Sequence, residues 1–515
     1  MTENSHSPQT LYSPQGIPDA YPDIPNVSHS PKGGNSPIAI SELTDDVIPP
    51  THSLRTLVLC FDGTGDQFDA DNSNIVQFFS MLKKDDPSQQ MVYYQAGIGT
   101  YTIPQIATPF WAKLSKTIDM MVGHNLDAHV MGGYEFLMQN CTYEAGDRIC
   151  LFGFSRGAYT ARALAGMLHK VGLLPRCNYQ QVPFAYKMYS QDDETGWEQS
   201  RAFKKAFSID VDVEFVGVWD TVSSVGIIPR RLPFTKANNK IRYFRHSLAL
   251  DEHRARFMPN HYNRSTDADN ALGVQRGEMP RSCKKHYSLH MPSHEKTNTN
   301  GHASLQELER RFSQAISETD VEEVWFAGCH CDVGGGSVAN GTRYCLARIP
   351  LRWMIRECFK TNIGILFHGS MFKQIGLDPA TVYPRIVDRP PAIYGNVPEP
   401  DPNARSGQAD AEDTFVSEEV EDLSDALSPI YDQLRISPPW WILEVIPQKQ
   451  QFQKDEDDKW SSEIRANMAR GRHIPRQTEV VKIHRSVKIR MEADGLQEGK
   501  YWPKAKLRVQ PLWVD

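Results

Sequence analysis

Five short apolar runs, each stopped by a polar or glycine residue, constrain this chain more than any other feature. They are "LRTLVLCFDGTG" (54–65), "QMVYYQAGIGT" (90–100), "DRICLFGF" (147–154), "DVEFVGVWDTV" (212–222) and "VEEVWFAGCHCDVGGG" (321–336). Continuous runs of this length read as strands buried on both faces. Helical segments lie between them, such as "NLDAHVMGGYEFLMQNC" and the stretch after Ser155. Strands alternating with helices predict an α/β fold with an open, mostly parallel sheet and helices on both faces. In such sheets the chemistry collects at the carboxyl ends of the strands. Here the runs end at Asp62, Gly97, Ser155, Asp220 and His330.

The rest of the chain divides by composition. Residues 1–50 are dense in Pro, Ser, Asn and Gly, bury too little to offset chain entropy, and are expected to be a disordered tail. Residues 51–515 are read as a single catalytic domain, with polar insertions at about 262–305 and 397–427 expected to be mobile. Apolar residues make up 40% and the net charge is −7. No Lys/Arg run resembles a nucleic-acid footprint, so no nucleic acid is expected as partner. Nine scattered cysteines read as reduced intracellular thiols. No apolar stretch reaches the roughly 18 residues of a membrane span. The first residues, "MTENSHSPQTLYSPQG", lack the pattern of a secretory signal. A cytoplasmic location is the expectation, with the sequons at Asn26 and Asn340 unused.

The third run leads into "GFSRGAYTAR", which sets Ser155 between Gly153 and Gly157. Gly-x-Ser-x-Gly has a mechanical basis. A serine on a sharp strand-to-helix turn leaves no room for flanking side chains, and the turn lifts its hydroxyl above the sheet. The N–H of Arg156, at the start of the next helix, is then placed to bind an oxyanion. A nucleophilic serine needs a base and an orienting carboxylate, in the order Ser, acid, His. Asp220 and His330 both end strands downstream of Ser155. His484, in the alternating "VVKIHRSVKIR", is the rival base. Position at the end of a core strand favours His330. The small residues of "VGGG" behind it are expected to leave room for substrate.

The loop after the first run, "CFDGTGD", resembles the Asp-x-Asp-Gly-Thr signature of haloacid-dehalogenase-like phosphatases, but Cys60 stands where their nucleophilic Asp belongs. We read it instead as the source of a second oxyanion donor, Gly63 or Thr64. Asp62 is expected to hold that loop by accepting its amide protons, and Asp332 to support the histidine loop. "CHCD" at 329–332 invites a metal reading, but neighbouring strand residues point to opposite faces and no partner pair completes a zinc set. No metal or cofactor is expected.

Six blocks together, "LVLCFDGTGDQ", "YYQAGIGT", "GFSRGAYTAR", "VGVWDTVSSVG", "RHSLALDEHRARF" and "VWFAGCHCDVGGG", resemble the type VI secretion phospholipase effector (Tle-like) catalytic domain family, long catalogued as a domain of unknown function. The later "SPPWWILEVIP" and "IHRSVKIRM" are similar to its fungal-type members. The resemblance implies an α/β-hydrolase-like fold and a triad of Ser155, Asp220 and His330. It also implies a lipid or phospholipid ester as substrate. The chain departs from the family pattern in carrying cysteines on both sides of His330, and it lacks an obvious membrane-docking domain. Two readings follow: a serine ester hydrolase working through an acyl-enzyme, or a catalytically silent scaffold of the same fold that binds protein partners. For peripheral membrane contact, two apolar segments stand out. One is the helical face of Trp111, Leu114, Ile118, Met121 and Val122, and the other is "PPWWILEVIP" with Trp440 and Trp441.

Overall fold

The apolar runs become neighbouring strands because each can alternate its side chains between two cores. In the computed structural model the strands are β1 (Val47–Ile48), β2 (Thr56–Phe61), β3 (Gln90–Gln95), β4 (Arg148–Phe154), β5 (Val213–Trp219), β6 (Ile241–Ala249), β7 (Asp320–Phe326), β8 (Phe367–His368), β9 (Gln448–Gln453), β10 (Trp460–Arg465), β11 (Lys482–His484) and β12 (Leu512–Val514). The structure describes residues 46–98, 126–222, 232–236, 238–262, 319–395, 415–453, 460–475, 480–496, 499–507 and 509–515. Eight strands form one sheet in the order β12-β11-β7-β6-β5-β4-β2-β3. Every neighbouring pair in it is parallel. Leu57, Leu59 and Phe61 of β2 enter one core and Val58 and Cys60 the other.

The helices are α1 (Asn74–Met81), α2 (Leu126–Asn140), α3 (Ser155–Val171), α4 (Val182–Ser190), α5 (Glu194–Phe207), α6 (His330–Gly334), α7 (Arg348–Lys360), α8 (Glu418–Ala426), α9 (Gln433–Ile436), α10 (Trp441–Val445) and α11 (Arg485–Glu492). Residues of α2, α3 and α4 share the core with Leu57 and Phe61, while α1, α7 and α11 pack on the other face. The expected α/β architecture, an open parallel sheet flanked by helices, is thus present. The chain passes from β2 outward to β3 and returns to β4 on the opposite side of β2. That reversal creates a crevice at the carboxyl ends of β2 and β4.

Three strands of the sheet were not among the five runs. β6, "IRYFRHSLA", interleaves charge with apolar residues, and β11 and β12 are only three residues each. β6 lies between the Asp220 strand and the His330 strand.

Two boundaries need correction. Residues 46–50 are not part of a disordered tail: Val47–Ile48 pair with Phe367–His368, and Asp46 accepts from the Ser370 N–H at 2.6 Å. Residues 1–45 lie outside the described residues, as does the insertion from residue 263 onward and the segment 103–123. Of the acidic stretch 397–427, residues 397–414 also lie outside them, but 418–426 are the helix α8 rather than a mobile insertion. Glu418, Glu421, Asp422 and Asp425 of α8 are all buried. They face Arg348, Arg352 and Arg356, a four-residue repeat along one face of α7. Arg343 and Arg389 complete the set. Opposed charge on two helices allows carboxylates to be buried that would otherwise stay in water.

Candidate active site

The serine turn follows from backbone crowding. A Cβ on Gly153 would lie 2.5 Å from the Gly157 carbonyl oxygen, and one on Gly157 would lie 2.3 Å from the carbonyl oxygens of Phe61 and Asp62. Only glycine lets β4, α3 and the end of β2 approach this closely. Ser155 itself has φ +57°, a left-handed value that a serine adopts at a cost the surrounding packing must hold. It starts the 17-residue helix α3. Its hydroxyl therefore sits at a helix N-terminus, where α3 has unsatisfied N–H groups. Arg156 is the second residue of that helix, so its N–H has no carbonyl one turn back.

Ser155, Asp220 and His330 meet above the sheet. His330 Nε2 is 2.8 Å from Ser155 Oγ, and His330 Nδ1 is 2.6 Å from Asp220 Oδ2. His330 opens the short helix α6, which rests on the ring of Phe154, 4.7 Å from the imidazole. The other expected base, His484, lies on β11 with its Nδ1 2.8 Å from Ser486 Oγ and its ring stacked on Phe326. Burial pushes its pKa down to about 4.

Asp220 is fully buried and has φ +42°. It is gripped from four sides: Arg472 donates from Nη1 to Oδ1 at 2.6 Å and from Nη2 to Oδ2 at 2.9 Å, the Ala249 N–H donates to Oδ1 at 2.9 Å, and His330 meets Oδ2. Burial alone would raise its pKa, but the Arg472 charge and the His330 hydrogen bond outweigh it and hold the carboxylate well below its usual range. Burial lowers the pKa of His330, and the Asp220 contact opposes this only in part. The imidazole is therefore neutral near pH 7, the form that can accept a proton.

A second ion pair backs the histidine. Glu252 Oε2 accepts from the His330 N–H at 3.2 Å and from Arg254 Nη2 at 2.8 Å. Burial would raise Glu252, but the Arg254 charge takes it down to about 2. Arg254 covers the ring of Phe257 at 3.5 Å, and Phe257 lies edge-on to His330 at 4.8 Å. Asp220 and Glu252, the two carboxylates that touch His330, are thus each paired with a buried arginine.

The loop after β2 is built around Asp62. Its Oδ1 accepts from the Gly63 N–H at 2.8 Å and from Ser73 Oγ at 2.6 Å, and its Oδ2 accepts from the Tyr94 hydroxyl at 2.7 Å. The expectation that Gly63 supplies an oxyanion donor needs correction, because its N–H is taken by Asp62. Thr64 remains, with a buried Oγ1 that has no hydrogen-bond partner among the described residues. Asp332 Oδ2 accepts from the Cys329 N–H at 2.8 Å and the Tyr431 N–H at 3.0 Å, closing a capping box around α6. Burial pushes Asp332 up to about 7.

The first two glycines after His330 are closely packed. A Cβ on Gly334 would lie 1.8 Å from the Phe154 ring, and one on Gly335 2.4 Å from the Asn74 nitrogen. Close packing thus accounts for Gly334 and Gly335, whereas a Cβ on Gly336 would meet only the Asp71 carbonyl oxygen, at 3.6 Å, and Gly335 and Gly336 also line a cavity beside Asn72 and Asn74. The side chains of "CHCD" diverge: Cys329 Sγ points to the Asp251 carbonyl, His330 to Ser155, and Asp332 to backbone N–H groups. Among the described residues, no group of three or more His, Cys, Asp or Glu is arranged to hold a metal ion.

Sequence reasoning missed Arg472, Glu252, Arg254 and Phe257. Three of them lie in "LDEHRARF", part of a block that resembles the family but carries no motif assigning these residues a role. Arg472 follows a loop with no strand or motif to mark it.

Several known proteins are similar to this chain. A Saccharomyces cerevisiae protein, "Uncharacterized protein YEL023C", is 29% identical over 560 aligned residues, covering 87% of this chain and 80% of the yeast protein. A crystal structure of an uncharacterized protein from Pseudomonas aeruginosa is 18% identical with TM-score 0.30, covering 61% of this chain and 46% of that one. The Tle1 effector bound to the VgrG spike of the type 6 secretion system is 16% identical with TM-score 0.25, covering 56% of this chain and 52% of that one. The chain spans about half the length of these two solved structures. The family described as "T6SS, Phospholipase effector Tle1-like, catalytic domain" matches residues 55–357, more than half of the chain, and ends beyond the last member of the Ser155–Asp220–His330 group. The chain therefore belongs to the family of T6SS phospholipase effector Tle1-like catalytic domains.

Proposed function

We propose that this protein is a serine-dependent carboxylic ester hydrolase that acts on a lipid acyl ester. The observation that carries the reading is the continuous line of hydrogen bonds from Ser155 Oγ through His330 to Asp220, at 2.8 and 2.6 Å. Membership of a phospholipase effector family supports a lipid as substrate.

In the reaction, His330 Nε2 takes the proton from Ser155 Oγ as the oxygen bonds to the ester carbonyl carbon. Asp220 keeps the Nδ1–H tautomer and balances the imidazolium that forms. The tetrahedral oxyanion faces the Arg156 N–H at the start of α3, with Thr64 as the second donor. Collapse breaks the bond to the alcohol oxygen, which leaves with the proton from His330 Nε2. Water then gives a proton to His330 and adds to the acyl-serine, and the acid departs as Ser155 regains its proton. No step needs a metal or cofactor.

The test is turnover of p-nitrophenyl butyrate and of phosphatidylcholine by the wild-type protein and by Ser155→Ala. The reading expects wild-type hydrolysis and a loss on the order of 10⁶-fold in the folded variant. A folded Ser155→Ala protein with wild-type turnover would overturn it, as would a wild type inert towards all acyl esters, which is the outcome the scaffold reading expects.

A further inference from the structure

The paired tryptophans of "PPWWILEVIP" part company in the structure. Trp440 and Leu443 turn inward, and the Trp440 ring packs on Phe257 at 5.5 Å. Trp441 (42%), Ile442 (63%) and Val445 (53%) of α10 are exposed, as is Ile446 (45%), the residue that follows it. Ile436 (59%) on α9 and Met468 (59%) extend the patch. The Trp441 indole N–H donates to the Leu434 carbonyl at 3.0 Å, and the Met468 N–H donates to the Glu444 carbonyl at 3.2 Å, so both belong to the same surface.

This surface is fixed to the active site. Glu444, buried on the inner side of α10, accepts from the Ala255 N–H at 2.6 Å and from Asn467 Nδ2 at 2.7 Å. Ala255 is two residues from Phe257, whose ring touches His330. Two side chains, Trp440 and Phe257, therefore separate the exposed patch from the candidate base. Arg435, next to Ile436, and Arg470, two residues beyond Met468, are exposed cations at its border. Large apolar groups with two exposed arginines at their border, Arg470 and Arg435 (the latter 3.5 Å from Asp432), are complementary to a bilayer whose headgroups are anionic. α9 and α10 lie beyond the family match, which ends at residue 357, so the patch is not part of the catalytic-domain pattern.

We propose that Ile436, Trp441, Ile442, Val445 and Ile446 form a docking face that seats this protein on an anionic lipid surface, with Arg435 and Arg470 against the headgroups. This rests on the lipid-ester reading above. Docking there would hold the active-site edge against the aggregate from which a lipid ester must be drawn.

The test is flotation with two vesicle preparations, one of phosphatidylcholine and one of equal parts phosphatidylcholine and phosphatidylglycerol. It uses the full chain and two double variants, Ile442→Ser/Val445→Ser and Arg435→Gln/Arg470→Gln. Wild type should bind the mixed vesicles more tightly than the neutral ones. The apolar variant should bind both at least about tenfold more weakly. The arginine variant should lose mainly the preference for the mixed vesicles. Thermal melts check that each variant folds, and turnover of soluble p-nitrophenyl butyrate should stay within about twofold of wild type for both, as for surface changes. Unchanged vesicle binding by the folded apolar variant would overturn the proposal. So would a wild type that binds neither preparation, or a wild-type dimer that the apolar variant converts to monomer, which would make the face a contact between copies. If wild type docks as described yet hydrolyses no soluble ester, the hydrolase reading fails and the docking face stands.

Discussion

The loops after β2 and β4 and the outer supports of Asp220 and His330 reach the same edge of the sheet by different routes. The serine turn is set by glycines two residues either side and by the neighbouring strand, packed so closely that a Cβ on either glycine would lie only 2.3–2.5 Å from a backbone oxygen. Asp220 and His330 are instead held by charge brought from far along the chain: Arg472 lies 252 residues from Asp220, and Glu252 78 residues from His330. Local crowding leaves a spacing in the sequence. Distant ion pairs leave only single charged residues, which look like surface. The first kind of contact positions the Ser155 hydroxyl, and the second holds the His330 ring neutral and aimed at it.

Variants at these positions separate the two roles. Asp220→Asn keeps the shape but removes the charge that holds the tautomer of His330, and it should cost about 10⁴-fold in kcat. Steady-state kinetics on p-nitrophenyl butyrate measures it, and a loss below tenfold would remove Asp220 from the mechanism.

Arg472→Met should act on stability and on pH dependence together. It leaves the fully buried Asp220 carboxylate without its cation, which should destabilise the fold by about 3–5 kcal/mol in denaturant titration. The groups around His330 are Asp220, Arg254 and Glu252, and burial holds its pKa below the ordinary 6.5. The acid limb of kcat/KM for wild type should therefore fall below that value. Without Arg472, Asp220 stabilises the imidazolium more strongly, so the limb should move up in pH. An unmoved limb in a folded variant would reduce Arg472 to a structural part.

Asp220 also ties stability to pH. Its folded pKa is depressed, so its contribution is present above the unfolded carboxylate value and is lost as pH falls through the folded one.

Arg352→Met sharpens the contrast from the other side. Arg352 pairs with Asp422 and Asp425 at 2.6 Å each, between α7 and α8 and away from the serine. It should lose about 3 kcal/mol of stability while kcat of the folded protein stays unchanged. The smallest effect is expected from Tyr94→Phe. It removes one of the hydrogen bonds to Asp62, leaving Ser73 and Gly63, and should cost about 1–2 kcal/mol with less than a tenfold change in turnover.

The strands bearing Ser155, Asp220 and His330 were legible because continuous apolar runs have few other folded uses. β6 was not, since Arg245 and His246 break its run. Arg245 is buried against Glu357 at 2.6 Å and His246 against Glu323 at 2.8 Å, partners that no local pattern reveals. The acidic helix α8 was misread for the same reason. Its carboxylates look solvated until the arginines at 348, 352 and 356 are seen to share one face of α7. The Gly63 error was different in kind: glycine was correctly read as allowing close approach, but the adjacent Asp62 had already claimed its N–H.

The central claim is that His330, not another histidine, activates Ser155. Its most direct test is the rate at which a fluorophosphonate labels the protein, with the modified residue located by peptide mass spectrometry. The account predicts one adduct per chain, on Ser155. His330→Ala should slow that labelling by about 10³-fold or more, and His484→Ala should leave it within a few fold of wild type. An adduct elsewhere, no adduct, or loss of labelling in a folded His484→Ala protein while His330→Ala labels normally would contradict it.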